Sequence, residues 1–352
     1  MSFAQYMDIA LYDESLGFYA TVGRAGRRGD FLTSPEVGPL FGALIARRLD
    51  EEWFALGSPE TFVVVEFGAG PGTLARSIAF ASPECASALR YLMVERSAEQ
   101  RALHPDHLEG WLGDLDAAGV DSFVRGAGSG PRFASSPIAP YGITGVVLAN
   151  ELLDNLSFDI VRHDGSGNFE RLDVHHDQDG LEFVVVPTEI PVSLVPVLSS
   201  ASPGEWMPLQ EHALQWLGAA IDRVERGVVI AIDYGATTAE IAARPEMGWL
   251  RTFVGQERGG HPLDDPGVCD ITTDIAVDQL ATVARPTVMT TQRQLLERLG
   301  IAQLVEEGRR IWTEKASTPD VAALRARSRI GEAEALLESE GLGHFVVLEW
   351  TV

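Results

Sequence analysis

The sequence predicts a doubly wound α/β fold, and three observations carry that prediction. Short apolar segments typical of buried strands lie at residues 61–66, 90–95 and 145–149. Segments with helical spacing of apolar residues alternate with them, and the connections are short. A glycine-rich turn joins the first strand directly to a helix at 73–80. Strand, helix and strand in succession imply parallel strands with right-handed crossovers, which is how a doubly wound sheet is built.

Residues 1–55 are predicted to form an N-terminal helical region. The segment Thr33-Ser34-Pro35-Glu36 is typical of a helix start, with a capping hydroxyl, a proline in the first turn and an early acid. After it, apolar residues recur at helical spacing from Leu40 to Trp53. We interpret this stripe as a face that packs on the core.

The predicted core covers residues 56–235 and resumes at 284–352, its C-terminal part. In residues 157–187, segments typical of strands alternate with Asp-Gly turns. This pattern predicts an antiparallel β-meander inserted in the core. Residues 236–283 are irregular and rich in Gly, Pro and Asp, which indicates a lid or a substrate insertion. The other elements expected in the core are helices at 98–103, 209–226, 292–299 and within 303–340, and strands at 227–233, 287–290 and 344–350.

The composition is that of an ordinary globular protein with a strong acidic excess. The chain has 352 residues, 45% of them hydrophobic, and can bury a sizeable core without disulfides or metal. Its formal net charge is −24, which repels nucleic-acid phosphates and anionic lipid surfaces and attracts cationic partners. We therefore expect neither a nucleic-acid nor a membrane partner. The oligomeric state is not predicted.

Cysteine usage and the N-terminal sequence favour a cytoplasmic location. The chain has two cysteines, Cys85 and Cys269, which excludes a disulfide framework and suits a reducing compartment. No basic segment followed by an apolar run opens the sequence, and no apolar stretch has the length of a membrane span. The histidines show no spacing typical of metal ligands, so no metal is expected.

The most informative motif runs Glu66-Phe67-Gly68-Ala69-Gly70-Pro71-Gly72-Thr73, directly after the first strand. Its glycines let the backbone turn tightly and let a ligand approach closely. A dinucleotide-binding turn needs a third glycine where Thr73 stands, and Glu66 would place negative charge near the pyrophosphate. An acid before this turn suits the ammonium and sulfonium groups of S-adenosylmethionine (SAM). We predict that Glu66, Gly68, Gly70 and Gly72 bind SAM; a dinucleotide site or a purely structural turn is the alternative.

Two further acids are candidates for the nucleoside part of the cofactor. Glu95 ends the second strand, where a carboxylate can accept hydrogen bonds from both ribose hydroxyls; the alternative is a solvated acid. Asp114 follows Gly113 and could accept from the adenine amino group, although Gly-Asp is also a common turn.

The segment Asn150-Glu151-Leu152-Leu153-Asp154 follows the third strand, on the side of a sheet where ligands bind. Paired carboxylates suit a guanidinium, which offers a planar fork of donors. We therefore predict that Glu151 and Asp154 are catalytic and that Asn150 contacts the cofactor. The alternative is a capped helix start, with Asn150 as the cap and Glu151 favouring the helix dipole.

Together these motifs resemble the MidA-like SAM-dependent methyltransferases, a family that includes a mitochondrial complex I assembly methyltransferase and many bacterial proteins. The family's hallmarks occur here in order: Leu16-Gly17-Phe18-Tyr19, Gly29-Asp30-Phe31-Leu32-Thr33-Ser34-Pro35-Glu36 with Phe41-Gly42, the 66–74 turn, the 150–154 segment, Ile232-Asp233-Tyr234-Gly235, Leu250-Arg251, Asp270-Ile271-Thr272 and Leu342-Gly343-His344-Phe345.

The resemblance implies a class I methyltransferase fold, which is Rossmann-like, with an added N-terminal helical region and insertions. It also implies SAM as the cofactor and methylation of a protein arginine. Three positions depart from the family pattern: Ser157 stands where a proline is usual, and Gln256 and Asp274 stand near common histidines. A small-molecule O- or N-methyltransferase and a non-catalytic SAM-binding assembly factor are the alternatives. In each enzymatic case we expect a cationic methyl acceptor, either a protein or a small molecule.

Overall fold

The structure, a computed structural model, describes residues 1–21, 33–115, 119–125, 132–178, 180–254 and 257–352. Within these residues the helices are α1 (Phe3–Tyr12), α2 (Phe18–Thr21), α3 (Ser34–Val37), α4 (Pro39–Ala55), α5 (Thr73–Ala81), α6 (Ala98–Arg101), α7 (His104–His107), α8 (Gly119–Arg125), α9 (Val195–Leu198), α10 (Glu211–Arg223), α11 (Thr238–Ala242), α12 (Val277–Val283), α13 (Gln292–Arg298), α14 (Ile301–Lys315) and α15 (Val321–Leu336). The strands are β1 (Phe62–Phe67), β2 (Leu89–Val94), β3 (Arg132–Ser136), β4 (Ile143–Asn150), β5 (Asp159–His163), β6 (Phe169–Asp177), β7 (Gly180–Thr188), β8 (Met207–Leu209), β9 (Val224–Asp233), β10 (Gly235–Ala236), β11 (Arg251–Val254), β12 (Glu257–Arg258), β13 (Asp270–Thr272), β14 (Ile275–Ala276), β15 (Val288–Thr291) and β16 (Val346–Thr351).

The central sheet has the strand order β15-β16-β9-β4-β1-β2-β3. Strand β1 pairs in parallel with β2 and β4, and the sheet continues in parallel to β3 on one side and β9 on the other. Strand β16 runs antiparallel to both of its neighbours, β9 and β15. The order reverses between β1 and β4, as in doubly wound folds. The predicted doubly wound, Rossmann-like α/β fold is confirmed.

The side chains of β1 point alternately to the two faces of the sheet, and both faces are buried. Phe62 and Val64 pack into one apolar cluster with α4 and α5, whereas Val63 and Val65 pack into another with α10 and α12. This period of two is what a strand dictates, and helices on both faces explain why β1 reads as a continuous apolar run. The predicted apolar stripe from Leu40 onward is the core-facing side of α4.

Strands within residues 159–209 form a second, antiparallel sheet with the order β7-β6-β5-β8. Helix α1 packs on it, with the Phe3 ring 5.5 Å from the Phe158 ring and 5.7 Å from the Phe183 ring. Short strands follow in residues 235–276, where β10 pairs with β14, and β11 lies between β12 and β13. This packing brings the N-terminal helices next to the end of the central sheet.

The sequence reasoning missed strand β3. Arg132–Ser136 pairs in parallel with β2 and forms the edge of the central sheet. Among the described helices, none combines the length and the apolar character that crossing a bilayer requires.

Candidate active site

A cavity of about 1000 Å³ opens at the carboxyl ends of β1, β2 and β4, where doubly wound sheets bind ligands. Its walls come from the glycine turn, the segments after β2 and β4, the N-terminal helices and β13. Seven predicted site residues line it: Glu66, Gly68, Gly70, Glu95, Asn150, Glu151 and Asp154. Gly72 and Asp114 are not among the residues that line it.

The glycine turn uses the left-handed backbone region at three positions. Gly68, Gly70 and Gly72 have φ values of +67°, +52° and +86°, which side chains other than glycine rarely adopt. A Cβ on Gly68 would also approach Leu152 to 2.9 Å. A Cβ on Gly72 would face Met93, 3.1 Å away in the core. Gly72 therefore serves the start of α5, as its N-cap residue, and does not line the cavity.

Glu95 lies against this turn and holds it. Its Oε2 accepts from the Gly70 N–H at 2.9 Å, and its Oε1 accepts from the Ser97 N–H at 2.8 Å. Glu95 also lines the cavity, and because a carboxylate oxygen can accept more than one hydrogen bond, it can accept from a ribose hydroxyl as well. Asp114 is exposed beyond the cavity, so the structure does not place it with the other predicted cofactor residues.

Glu66 is a buried acid behind the glycine turn. It accepts from the Tyr91 hydroxyl at 2.9 Å, and burial raises its pKa to about 8. A bound cation would favour the ionised form. The glycine turn, the Glu95 carboxylate and the buried acid Glu66 all line the cavity. They fit SAM, which has ribose hydroxyls and cationic ammonium and sulfonium groups.

Glu151 is fixed by the N-terminal helices. Its Oε1 accepts from the Ser34 N–H at 2.9 Å and from the Asn150 amide at 3.0 Å. Its φ is +53°, a strained value for a residue with a side chain, and such strain is often found at functional sites. Burial raises the pKa of Glu151 to about 7.

Asp154 is a deeply buried acid of the cavity wall. It is 2% exposed, and among the described residues no hydrogen-bond partner reaches its Oδ1. Asp233 lies behind it and accepts from the backbone N–H groups of Leu153 and Asp154 at 2.9 and 3.2 Å. Burial and the negative charges of Asp233 and Asp270 raise the pKa of Asp154 well above its usual range. A cation entering here would relieve that repulsion.

The structure adds three residues that the sequence reasoning did not assign to the site. Tyr12 and Tyr19 are stacked, with ring centroids 5.5 Å apart, and both line the cavity. The Tyr19 hydroxyl lies 3.1 Å from both oxygens of Asp270, and Asn155 donates to Asp270 at 3.0 Å. Tyr19 and Asp270 belong to two of the family hallmarks, which was the available signal. Tyr12 carried none.

The positions that depart from the family pattern have different surroundings. Asp274 is buried and pairs with both Arg244 and Arg251, and the Arg251 guanidinium lies 4.8 Å from the centre of the Tyr234 ring. Ser157 is buried beside Phe158. Gln256 and the hallmark residues 29–32 lie outside the described residues.

Known proteins resemble this chain in sequence and in fold. A Drosophila melanogaster relative named "Protein arginine methyltransferase NDUFAF7 homolog, mitochondrial" is 30% identical over 301 residues, which cover 77% of this chain and 64% of that protein. The chain thus spans less than two thirds of that relative's length. The human protein arginine methyltransferase NDUFAF7 is 26% identical over 325 residues, or 85% of this chain and 69% of the relative.

A crystal structure from Burkholderia thailandensis, described as "a COG1565 superfamily member and likely methyl transferase" bound to S-adenosyl-homocysteine, superposes with a TM-score of 0.79 at 23% identity. That match covers 100% of this chain and 88% of the other, and at this identity it shows the shared fold. Residues 44–294 match the family described as "Putative S-adenosyl-L-methionine-dependent methyltransferase". The chain belongs to this family of SAM-dependent methyltransferases, which confirms the predicted MidA-like relationship and the SAM cofactor.

Proposed function

We propose that the protein transfers the methyl group of SAM to a guanidinium nitrogen of a protein arginine. The observation that carries the proposal is the pair Glu151 and Asp154, two buried carboxylates on the cavity wall next to the cofactor turn. Buried carboxylates are costly, and the Arg251 guanidinium does not offset the burial and the neighbouring acids that raise the pKa of Asp154. A cationic acceptor would therefore gain free energy by binding here.

The aromatic side of the cavity favours arginine over a compact ammonium group. Arginine is planar and stacks on aromatic faces, and its fork of donors can reach two acids at once. Within the chain itself, the Arg96 guanidinium already lies 4.5 Å from the centre of the Tyr12 ring at the cavity wall. The Tyr19 ring, which also lines the cavity and whose hydroxyl donates to Asp270, offers an acceptor guanidinium the same kind of surface.

The relatives' names support the same acceptor. The Drosophila and human proteins are both named as protein arginine methyltransferases. The acidic charge of −24 also favours a cationic partner. The free, buried cysteines, Cys85 and Cys269, are compatible with a reducing compartment, and we propose a cytoplasmic location, which fractionation of the source cells would test.

The chain's own residues account for binding and proton transfer. When SAM is bound, it supplies an electrophilic sulfonium methyl group. Glu151 and Asp154 hold the guanidinium N–H groups so that one nitrogen faces that methyl carbon, which supplies proximity and alignment. As the new N–C bond forms and the S–C bond breaks, the electron pair of the broken bond stays on sulfur. The proton lost from nitrogen passes to one of the two carboxylates.

The test is methyl transfer from labelled SAM to proteins of a lysate, followed by mass spectrometry of the methylated residues. We expect label on arginine, with S-adenosyl-homocysteine released in equal amount. A matched pair of peptides, with arginine and with the neutral isostere citrulline, checks that the charge is required. Label on a small molecule alone would favour a metabolite methyltransferase. Tight SAM binding without any transfer would favour a non-catalytic assembly factor.

A further inference from the structure

His104 is a fully buried polar side chain beneath the glycine turn, and none of the contacts assigned so far to SAM involves it. It begins the short helix α7 and is 0% exposed. Its Nε2 lies 2.7 Å from the carbonyl oxygen of Gly70, and its Nδ1 lies 2.8 Å from Oγ of Ser135. One imidazole thus joins the cofactor turn to the edge strand β3.

The two partners of the ring define the tautomer of its neutral form. A carbonyl oxygen can only accept, so Nε2 carries the proton and donates to Gly70. Nδ1 of the neutral ring then accepts from the Ser135 hydroxyl. Burial lowers the pKa of His104, which favours this neutral form. In that form only one tautomer satisfies both contacts.

Gly70 is consequently held on both sides. Its N–H donates to Glu95 at 2.9 Å, and its carbonyl accepts from His104. Glycine has the greatest backbone freedom of any residue, and Gly70 sits at φ +52° in the middle of the turn. Fixing such a residue before the ligand arrives lowers the entropic cost of binding.

We propose that His104 is a positioning residue for the cofactor. It holds the Gly70 peptide in the orientation in which the turn and the Glu95 carboxylate receive SAM together. Loss of the Nε2 donor frees the Gly70 carbonyl and lets the turn reorient, so that Glu95 loses the N–H that fixes it. The effect should therefore appear as weaker cofactor binding and not as slower chemistry at saturating SAM.

Three variants of His104 separate this role from general packing. His104→Leu removes both contacts. His104→Gln keeps a donor near the position of Nε2 and so retains the bond to Gly70, whereas His104→Asn is shorter and retains only the bond to Ser135. His163→Leu is the matched control, because His163 is also a buried histidine whose Nε2 contacts a carbonyl, that of Ala201 at 3.0 Å, in the antiparallel sheet.

The measurement is the dissociation constant of S-adenosyl-homocysteine by calorimetry, beside a melting curve for each variant. We expect binding about tenfold weaker for the Leu and Asn variants of His104, as for a buried hydrogen bond lost at a ligand site. The Gln variant should bind nearly as the unmodified protein does, and His163→Leu should lower the melting temperature without changing affinity.

Unchanged affinity in a folded His104→Leu protein would overturn the proposal, as would equal weakening by His163→Leu. If His104→Leu does not fold, the comparison of Gln with Asn decides, since equal affinities for these two would also overturn it. The measurement involves no methyl acceptor, so its outcome is independent of whether arginine is the substrate.

Discussion

The backbone N–H of Ser34 donates to the carboxylate of Glu151 across a sequence separation of 117 residues. In the same short helix, α3, Glu36 accepts from the Thr73 hydroxyl at 2.6 Å. Helix α3 therefore bridges the cofactor turn and the segment after β4. Oε1 of Glu151, a residue with a φ of +53°, accepts both from Ser34 and from the Asn150 amide.

We expect Glu151→Gln to reduce methyl transfer about a hundredfold or more, within the range for loss of a positioned proton-transfer group. The amide oxygen of glutamine can still accept from Ser34 and Asn150, so the fold and the SAM affinity should change little. Single-turnover experiments measure the transfer rate, titration with S-adenosyl-homocysteine measures the cofactor affinity, and a melting curve measures the stability. Normal transfer with a lowered melting temperature would show that Glu151 only supports the local structure.

The pH profile of transfer should rise through neutral pH. The pKa of Glu151 is raised to about 7, and an acid accepts a proton only when it is ionised. Raising the pH from about 6 to about 8 therefore increases the competent fraction, and lowering it removes activity. Values of kcat/KM for the acceptor, which report the protein before the guanidinium binds, are compared between the unmodified protein and Glu151→Gln. A rise of equal size in both proteins would assign the titration to another group.

Asp270→Asn should raise the KM for the acceptor about tenfold, as expected when a charge-assisted hydrogen bond is lost. The reason is that Asp270, to which Tyr19 and Asn155 donate, adds negative charge to the part of the cavity wall where we propose that the acceptor guanidinium binds. S-adenosyl-homocysteine affinity should be unaffected. Asp265→Asn, an exposed substitution in the preceding loop, is the control. Weaker cofactor binding in Asp270→Asn with an unchanged acceptor KM would contradict the assignment.

Glu95→Ala should weaken SAM binding by about 1.5–3 kcal/mol, the usual value for hydrogen bonds to a charged group. The carboxylate fixes Gly70 and lines the cavity where we predict that the ribose binds, so both contributions should be lost. Titration calorimetry compares it with Glu109→Ala, an exposed acid outside the cavity wall. Unchanged affinity would show that Glu95 supports the turn but has no cofactor role.

Sequence reasoning was most successful where chemistry is local. Gly68 and Gly70 lie within five residues of Glu66, and the patterns typical of a strand, a tight turn and a helix each occupy consecutive residues there. Gly72 is not among the residues that line the cavity, and a Cβ added there would point to Met93, a direction that spacing alone cannot show. Its contact with SAM stays a prediction. Strand β3 was missed because glycines precede it and its sequence, Arg132–Ser136, lacks a long apolar run.

The acceptor side could not be predicted in full because tertiary packing assembles it. Tyr12, Tyr19, Asp154 and Asp270 are brought together by α1 and α2 packing beside β13. Such long-range contacts leave no periodic signal in the sequence. His104 is similar, since its partners Gly70 and Ser135 lie about thirty residues away on either side.

The position of β16 has a consequence for how the protein is made. This strand, Val346–Thr351, lies between β9 and β15, yet a ribosome delivers it after both. Until residue 351 has left the exit tunnel, β9 and β15 each present an unpaired edge to other nascent chains, and exposed edges of this kind promote aggregation. Stalled or prematurely terminated synthesis should therefore yield insoluble protein instead of a smaller enzyme.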